Sequence, residues 1–435
     1  MRIRVHILKN LILKLENELL FFEENTKFLS ERKKNILKEY YVGLKINEFL
    51  ESIKETKTTE EIRLEYQKFA EKKILDTTLT FGDVFVIDEE ATTNDILAYG
   101  LRICKDNKKY IPEIACEKIF QVNEAYHTIG EKTIVHCLEI FEEYFCNILK
   151  ILIAMKPEAY FYEKNIKYSV LINKNFEDLT KELINQEVEA LMHGVSATIE
   201  KVNQIHKLNL QKHQDIWDDY IEIDLRRNII VHNEGKANQK YLTSLPQNYT
   251  RPQEGSHMIC DDIYVVNSIE SLIKFAYLLY YLICNDENEM SFLESIAFEF
   301  LSSEKWDLAL FAYDLLLAIR TLKNEQKITY QINRLIAKKH VDGLDSTKEE
   351  IELLDVSGMT NKFSIAKKLL LEKHAEVYEL LKVDYLKSFD FHMIQTWPLF
   401  LEYRNSEEYR TFINEHQTEY AMYELKDIEK PICQS

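Results

Sequence analysis

From Asp215 to Gly235 the chain reads DIWDDYIEIDLRRNIIVHNEG, with no proline and no glycine before its last residue. Apolar residues recur there every three or four positions, which predicts one helix of about five turns. An Asn and a Gly close the stretch, at Asn233 and Gly235, where a left-handed cap would stop it. A projection at about 100° per residue, with Arg227 at zero, separates two faces. Asp215, Asp218, Asp219, Glu222 and Arg226 share a polar arc, with Arg226 read as the surface partner of Glu222. Ile216, Trp217, Tyr220, Ile221, Ile223, Leu225 and Val231 fill the rest, and Asp224, Arg227, Asn228 and His232 lie among them. Polar groups aimed at a core or an interface need partners or a task, because unpaired burial costs roughly 2–7 kcal/mol.

Helix breakers are scarce throughout: 9 glycines and 6 prolines in 435 residues, with 46% hydrophobic and 29% charged side chains. That balance suits long helices joined by short loops, so the expected class is all-α, with length enough for two or three domains. The seven cysteines, Cys104, Cys116, Cys137, Cys146, Cys260, Cys284 and Cys433, form no CxxC pair or finger spacing. An odd, scattered set predicts reduced thiols in a cytoplasmic protein. Lys9, Lys14, Glu16 and Glu18 interrupt any apolar run after Met1, so neither a secretory signal nor a membrane span is expected. A net charge of −18 argues against a general nucleic-acid coat protein but leaves room for a local basic cleft.

Three regions are expected along the chain. Residues 1–117 form an N-terminal helical region: two or three amphipathic helices within 1–75, a polar loop over Glu51–Glu60, one short strand at Phe81–Asp88 and a cap at Thr92–Asp95. Residues 118–286 carry four long helical stretches: Thr133–Met155, Phe176–Leu208 with a break near Gly194, the Asp215–Gly235 helix, and Ile263–Cys284. Four helices of this length make a central bundle. Residues 287–435 form a C-terminal region in which Leu293, Ile296, Ala297, Phe300, Ala309 and Tyr313 follow the small/large pattern of one tetratricopeptide (TPR) unit. Phe363–Leu370 resembles a second such helix, while Leu344–Ser357 breaks the period, and an ordinary helical domain is the competing reading.

The bundle and its third helix resemble the HEPN superfamily, whose nucleases carry Arg, four to six residues, then His, often with Asn after the Arg. Here that is Arg227-Asn228-Ile229-Ile230-Val231-His232, flanked by Asn233-Glu234-Gly235 and Tyr241-Leu242. The letters alone decide little: chance gives about one match in such a composition, and Arg226/His232, Arg251/His257, Arg334/His340 and Arg410/His416 fit too. Requiring the Asn lowers the chance to about 0.06, and Arg227 alone passes. The resemblance implies a bundle that dimerises with its motif helices facing each other and, in active members, a metal-independent endoribonuclease without cofactors. By residue type and spacing His232 reads as proton shuttle and Arg227 as phosphate ligand, with Asn228, four residues before His232, orienting it and Asp224, three before Arg227, holding the guanidinium. Family members often serve as prokaryotic antiphage or toxin effectors. Some of those toxins carry a modifiable tyrosine two residues after the His, where this chain has Glu234.

The chemistry suits those residue types. Cleavage by the ribose 2′-hydroxyl needs a base, an acid and cationic stabilisation of the phosphorane. Histidine exchanges protons near neutral pH, and a guanidinium presents a planar fork to phosphate oxygens. One protomer offers one motif histidine, so a two-fold interface would complete the set. The acid-free run Lys201–Gln214, with Lys201, Lys207 and Lys212, is a candidate RNA-phosphate strip or else a solvated helix face. Asp224–Arg227 reads alternatively as a structural ion pair, and Arg334/His340 as a solvated face. The competing function is a non-catalytic HEPN dimer acting as an interaction scaffold, with the C-terminal region binding a protein partner.

Overall fold

A computed structural model of the chain describes residues 2–52, 58–70, 112–162, 175–284, 287–319, 322–384 and 387–416. Every element among them is helical, and one isolated antiparallel bridge joins Lys236 to His257. The helices are α1 (Arg2–Ser52), α2 (Thr59–Ala70), α3 (Pro112–Met155), α4 (Pro157–Phe161), α5 (Phe176–Leu191), α6 (Val195–His206), α7 (Gln214–Asn233), α8 (Gln239–Ser244) and α9 (Asp262–Ile283). They continue with α10 (Glu287–Ser302), α11 (Trp306–Leu317), α12 (Asn324–Asp342), α13 (Leu344–Leu353), α14 (Asn361–Leu370), α15 (His374–Asp384), α16 (Phe391–Thr396), α17 (Leu401–Arg404) and α18 (Glu407–Glu415). The all-α expectation holds. No described helix is long and apolar enough to cross a membrane. The expected strand at Phe81–Asp88 and the cap at Thr92–Asp95 lie outside the described residues.

The N-terminal region holds two described helices within residues 1–75, in keeping with the two or three expected. Residues 2–52 form a single helix. Leu8, Leu15, Phe22, Leu29 and Ile36, seven residues apart and all buried, explain its continuity: an unbroken heptad seam carries the helix without a turn. The polar segment Glu51–Glu60 is helical at both edges, in α1 up to Ser52 and in α2 from Thr59. The expected boundary at 117/118 falls within α3.

The chain folds as two compact units, each built from discontinuous segments. The first unites residues 1–13, 141–220 and 270–435. Its aromatic core sets Phe141 against Phe145, Tyr220 and Phe275, with Trp217 stacked on Tyr220 at 5.6 Å. The Tyr144 hydroxyl is spent on the Ala276 carbonyl at 2.8 Å. The break near Gly194 is a single 3-10 turn, Met192–Gly194. Asn175 caps α5 by accepting the Asp178 amide, with Glu177 and Asp178 in the first turn.

Beyond α9 the same unit continues as helical hairpins. α10, α12 and α14 begin at residues 287, 324 and 361, a spacing of 37 residues. Leu293, Ile296, Ala297, Phe300, Ala309 and Tyr313 are all buried, and the period-breaking stretch Leu344–Ser357 contains α13. The buried Asn333 amide donates to the Tyr313 hydroxyl (2.9 Å) while its oxygen accepts from the Trp397 indole (3.0 Å). Arg334 and His340 are not a solvated face. Arg334 pairs with Asp314 and Glu350, and His340 stacks on Trp306 at 4.0 Å and faces Glu402 at 3.3 Å.

The second unit unites residues 14–140 and 221–269. In it Leu29 and Ile36 of α1 pack with Val122 of α3, flanked by Ile119, Ala125, Tyr126 and Ile129. Ile229 of α7 packs with Ala237, Tyr241 and Leu245. Gly130 lies within α3 because the Cys260 carbonyl passes there: a Cβ at this position would sit 2.1 Å from that oxygen. Burial of Cys260 pushes its thiol up to about 12.

Candidate functional site

Helix α7 carries the candidate residues, and its capping sets where they end. Glu234 (φ +53°) and Gly235 (φ +69°) both take the left-handed conformation, so the cap lies one residue beyond Asn233. The Gly235 amide donates back to the Ile229 carbonyl at 3.0 Å, and the Asn233 side chain donates to the Lys236 carbonyl. The chain leaving the cap is clamped by backbone bonds: Ala237 N–H to Ser256 O (2.9 Å), Met258 N–H to Gly235 O (2.8 Å) and Gly255 N–H to Ala237 O (2.8 Å). Gly235 serves two needs there, its positive φ and its bareness, since a Cβ would lie 2.8 Å from Glu131 and 3.0 Å from His257.

The polar arc of α7 is not uniformly a surface. In the first unit Asp218 accepts from Gln214 at 2.7 Å and Asp219 from Ser271 at 2.9 Å. In the second unit Glu222 and Arg226 are 2% and 7% exposed, so the reading of Arg226 as a surface partner is corrected. The pair itself forms, with Arg226 Nε and Nη2 donating to Glu222 Oε1 at 3.0 and 2.8 Å. Tyr241 donates to the same oxygen (2.8 Å), Tyr264 donates to Oε2 (2.7 Å), and Arg226 Nη1 donates to the Ile259 carbonyl (3.1 Å). The guanidinium also lies 4.2 Å from the Tyr264 ring centroid. Burial, and then the Glu222 charge, push both tyrosine hydroxyls far above their ordinary range. They are fixed donors. An i,i+4 Glu/Arg pair was visible in the sequence. The two tyrosines that make its burial tolerable come from distant segments, and no local signal marks them.

The second-unit residues of the opposite arc stay accessible. Asp224, Arg227 and Asn228 are half-buried, while Val231 and His232 are exposed. Arg227 Nη2 donates to Asp224 Oδ1 at 3.0 Å, with 23% and 17% of the two side chains exposed. Asn228 and His232 share the face, but among the described residues no hydrogen bond joins them. An aliphatic group 52% exposed at Val231, one residue before the histidine, leaves this face apolar as well as polar. The arrangement offers a planar cation held by a carboxylate and an imidazole open to solvent, five positions apart on one helix.

The lysine candidates belong to the first unit. Lys201, Lys207 and Lys212 are exposed, but Lys201 faces the buried Glu187 at 3.7 Å and lies over the Tyr160 ring. Lys207 takes the left-handed position that ends α6. In the same unit Tyr160 and His206 share a hydrogen bond of 3.1 Å, and burial lowers the His206 imidazole below its usual range. Among the described residues, no three His, Cys, Asp or Glu side chains gather as a metal-binding set.

No family model, curated protein or solved structure matches the chain.

Proposed function

We propose that the chain is a HEPN-type, metal-independent endoribonuclease whose site centres on Arg227 and His232. In the reaction the ribose O2′ attacks phosphorus, the P–O5′ bond breaks, and the products are a 2′,3′-cyclic phosphate and a 5′-hydroxyl. The O2′ proton passes to a base, and O5′ receives one from an acid. Arg227, braced by Asp224, neutralises the phosphorane oxygens, and His232 exchanges one of the protons. Asn228 shares their face and contacts the same substrate. A homodimer facing α7 to α7 would bring two such sets to one RNA strand, with Val231 among the contacts. By resemblance the role is that of a prokaryotic defence or toxin effector, restrained through the flanking helical regions.

One observation carries the reading: of two adjacent arginines, Arg226 is consumed by a buried network while Arg227 is held at an accessible face with His232. The test is cleavage of RNA in EDTA by the purified chain. Activity abolished in both Arg227→Ala and His232→Ala, with solution mass unchanged, supports the proposal. Unchanged cleavage in those variants refutes the site, and a strict monomer refutes the dimer.

The second reading is an interaction scaffold. The regularly spaced hairpins from α10 onward favour it, because stacked helix pairs make extended protein-binding surfaces. A chain that cleaves no RNA but retains a partner through residues 287–416 would establish it.

A further inference from the structure

We infer that His257, backed by Glu131, is a second proton-transfer residue of the Arg227/His232 site, supplied by the same protomer. The inference rests on the endoribonuclease reading above. His257 belongs to a loose Arg/His match, Arg251/His257, whose arginine is spent on the Leu245 carbonyl at 3.2 Å. Its histidine is brought back to the end of the motif helix. The isolated bridge pairs His257 with Lys236, and its imidazole lies 3.0 Å from where a Gly235 Cβ would stand, three residues after His232.

This placement is built by Gly235 at the end of α7 and by Gly130 and Glu131 of α3. Gly235 has no side chain in the space the ring uses, and Gly130 of α3 lets the Cys260 backbone, three residues after His257, approach that helix. One turn of α3 then presents Glu131, whose Oε1 is sheltered from solvent, lacks a hydrogen-bond donor, and stands 3.5 Å from His257 Nε2. A sheltered carboxylate oxygen without a donor is costly unless a proton arrives there. The His257 side chain is 46% exposed, so one edge faces the carboxylate while the ring stays open to a ligand. Distances of this kind shorten once substrate binds.

The chemistry assigns the roles. The His257 Nε2–H points at the Glu131 carboxylate and keeps its proton, which fixes the tautomer with its lone pair on Nδ1. Nδ1 takes the proton of the 2′-hydroxyl as O2′ bonds to phosphorus. The His232 imidazolium gives its proton to O5′ as the P–O5′ bond breaks. One proton has then moved from His232 to His257, and no other reactant is needed. Each protomer thus carries an acid and a base, and the dimer carries two such pairs.

The test measures single-turnover cleavage of an RNA oligonucleotide in EDTA by the full chain, across the imidazole titration range. The variants are His257→Ala, Glu131→Gln and His232→Ala. We expect His257→Ala to lose about 10²–10⁴-fold in rate, with the limb of the pH profile that reports the base abolished and rate partly restored by added imidazole. Glu131→Gln should lose less and keep that limb, displaced. If His257→Ala melts early, His257→Gln carries the same comparison. Wild-type rate and profile in His257→Ala, beside a dead His232→Ala, would overturn the inference and leave the endoribonuclease reading standing. A rate loss that imidazole does not restore and a profile of unchanged shape would make His257 structural and also overturn it. Full activity in His232→Ala, or no cleavage by the wild type, would remove both.

Discussion

Arg226→Ala separates the two arginines of α7 by their physics. The substitution leaves Glu222, 2% exposed, as a buried carboxylate holding only the Tyr241 and Tyr264 hydroxyls. Two charge-assisted bonds to Oε1 and the bond to the Ile259 carbonyl are lost together. Removing one partner of a buried ion pair costs about 3–5 kcal/mol, because the other charge stays buried without compensation. For a unit of this size each kcal/mol lowers Tm by about 2–4 °C, so the drop should be roughly 6–20 °C. Differential scanning calorimetry of the full chain measures it. The double variant Glu222→Gln/Arg226→Met removes both charges at similar volume and should recover most of the loss, since well-packed neutral replacements of buried pairs are often tolerated. A single variant melting within error of wild type would refute the reasoning. So would a double variant no better than the single.

Further outcomes follow from the same geometry. Arg227→Ala, which breaks a half-buried i,i+3 pair, should change stability by under about 1 kcal/mol in the same melts while abolishing RNA cleavage. Gly130→Ala drives a Cβ into the Cys260 carbonyl and should cost about 1–3 kcal/mol or more, read by urea titration. Burial, against Trp306 and despite Glu402, holds His340 below its usual range. The unfolded chain therefore binds that proton first, and stability should fall as pH drops from about 6.5 through the lowered folded value, a slope that His340→Gln should flatten in melts at paired pH values. Lys207→Glu and Lys212→Glu should weaken RNA binding with a shallower salt dependence, and Lys201→Glu less, since Glu187 already faces it; filter binding across a salt series checks this.

The helical class was readable from composition because it depends on local terms: few breakers and apolar spacing matched to one turn. The end of α3 before Pro157, the break at Gly194 and the capped end of α7 were readable for the same reason. The single α1 helix was also in the sequence, in the seven-residue spacing from Leu8 to Ile36, but only a search for heptads finds it. Helical projection placed Arg227, Asp224, Asn228 and His232 on one arc, as the helix does. It failed for Arg226, because a projection weighs each residue by its own polarity. Whether a charge is buried depends on which donors meet it.

By itself, then, the sequence determined that this chain is helical, where several of its helices stop, and which side chains share a face of α7. Tertiary structure alone decided which face is covered. Tyr241, Tyr264 and the Ile259 carbonyl converge on Glu222 and Arg226 and remove them from solvent, while Asp224, Arg227 and His232 stay accessible. Tertiary structure also brought Glu131 and His257, 126 positions apart, to within 3.5 Å beside Gly235. Local spacing fixes angles about a helix axis, but a desolvated charge is tolerated only where distant segments supply its partners, and no local pattern encodes that meeting.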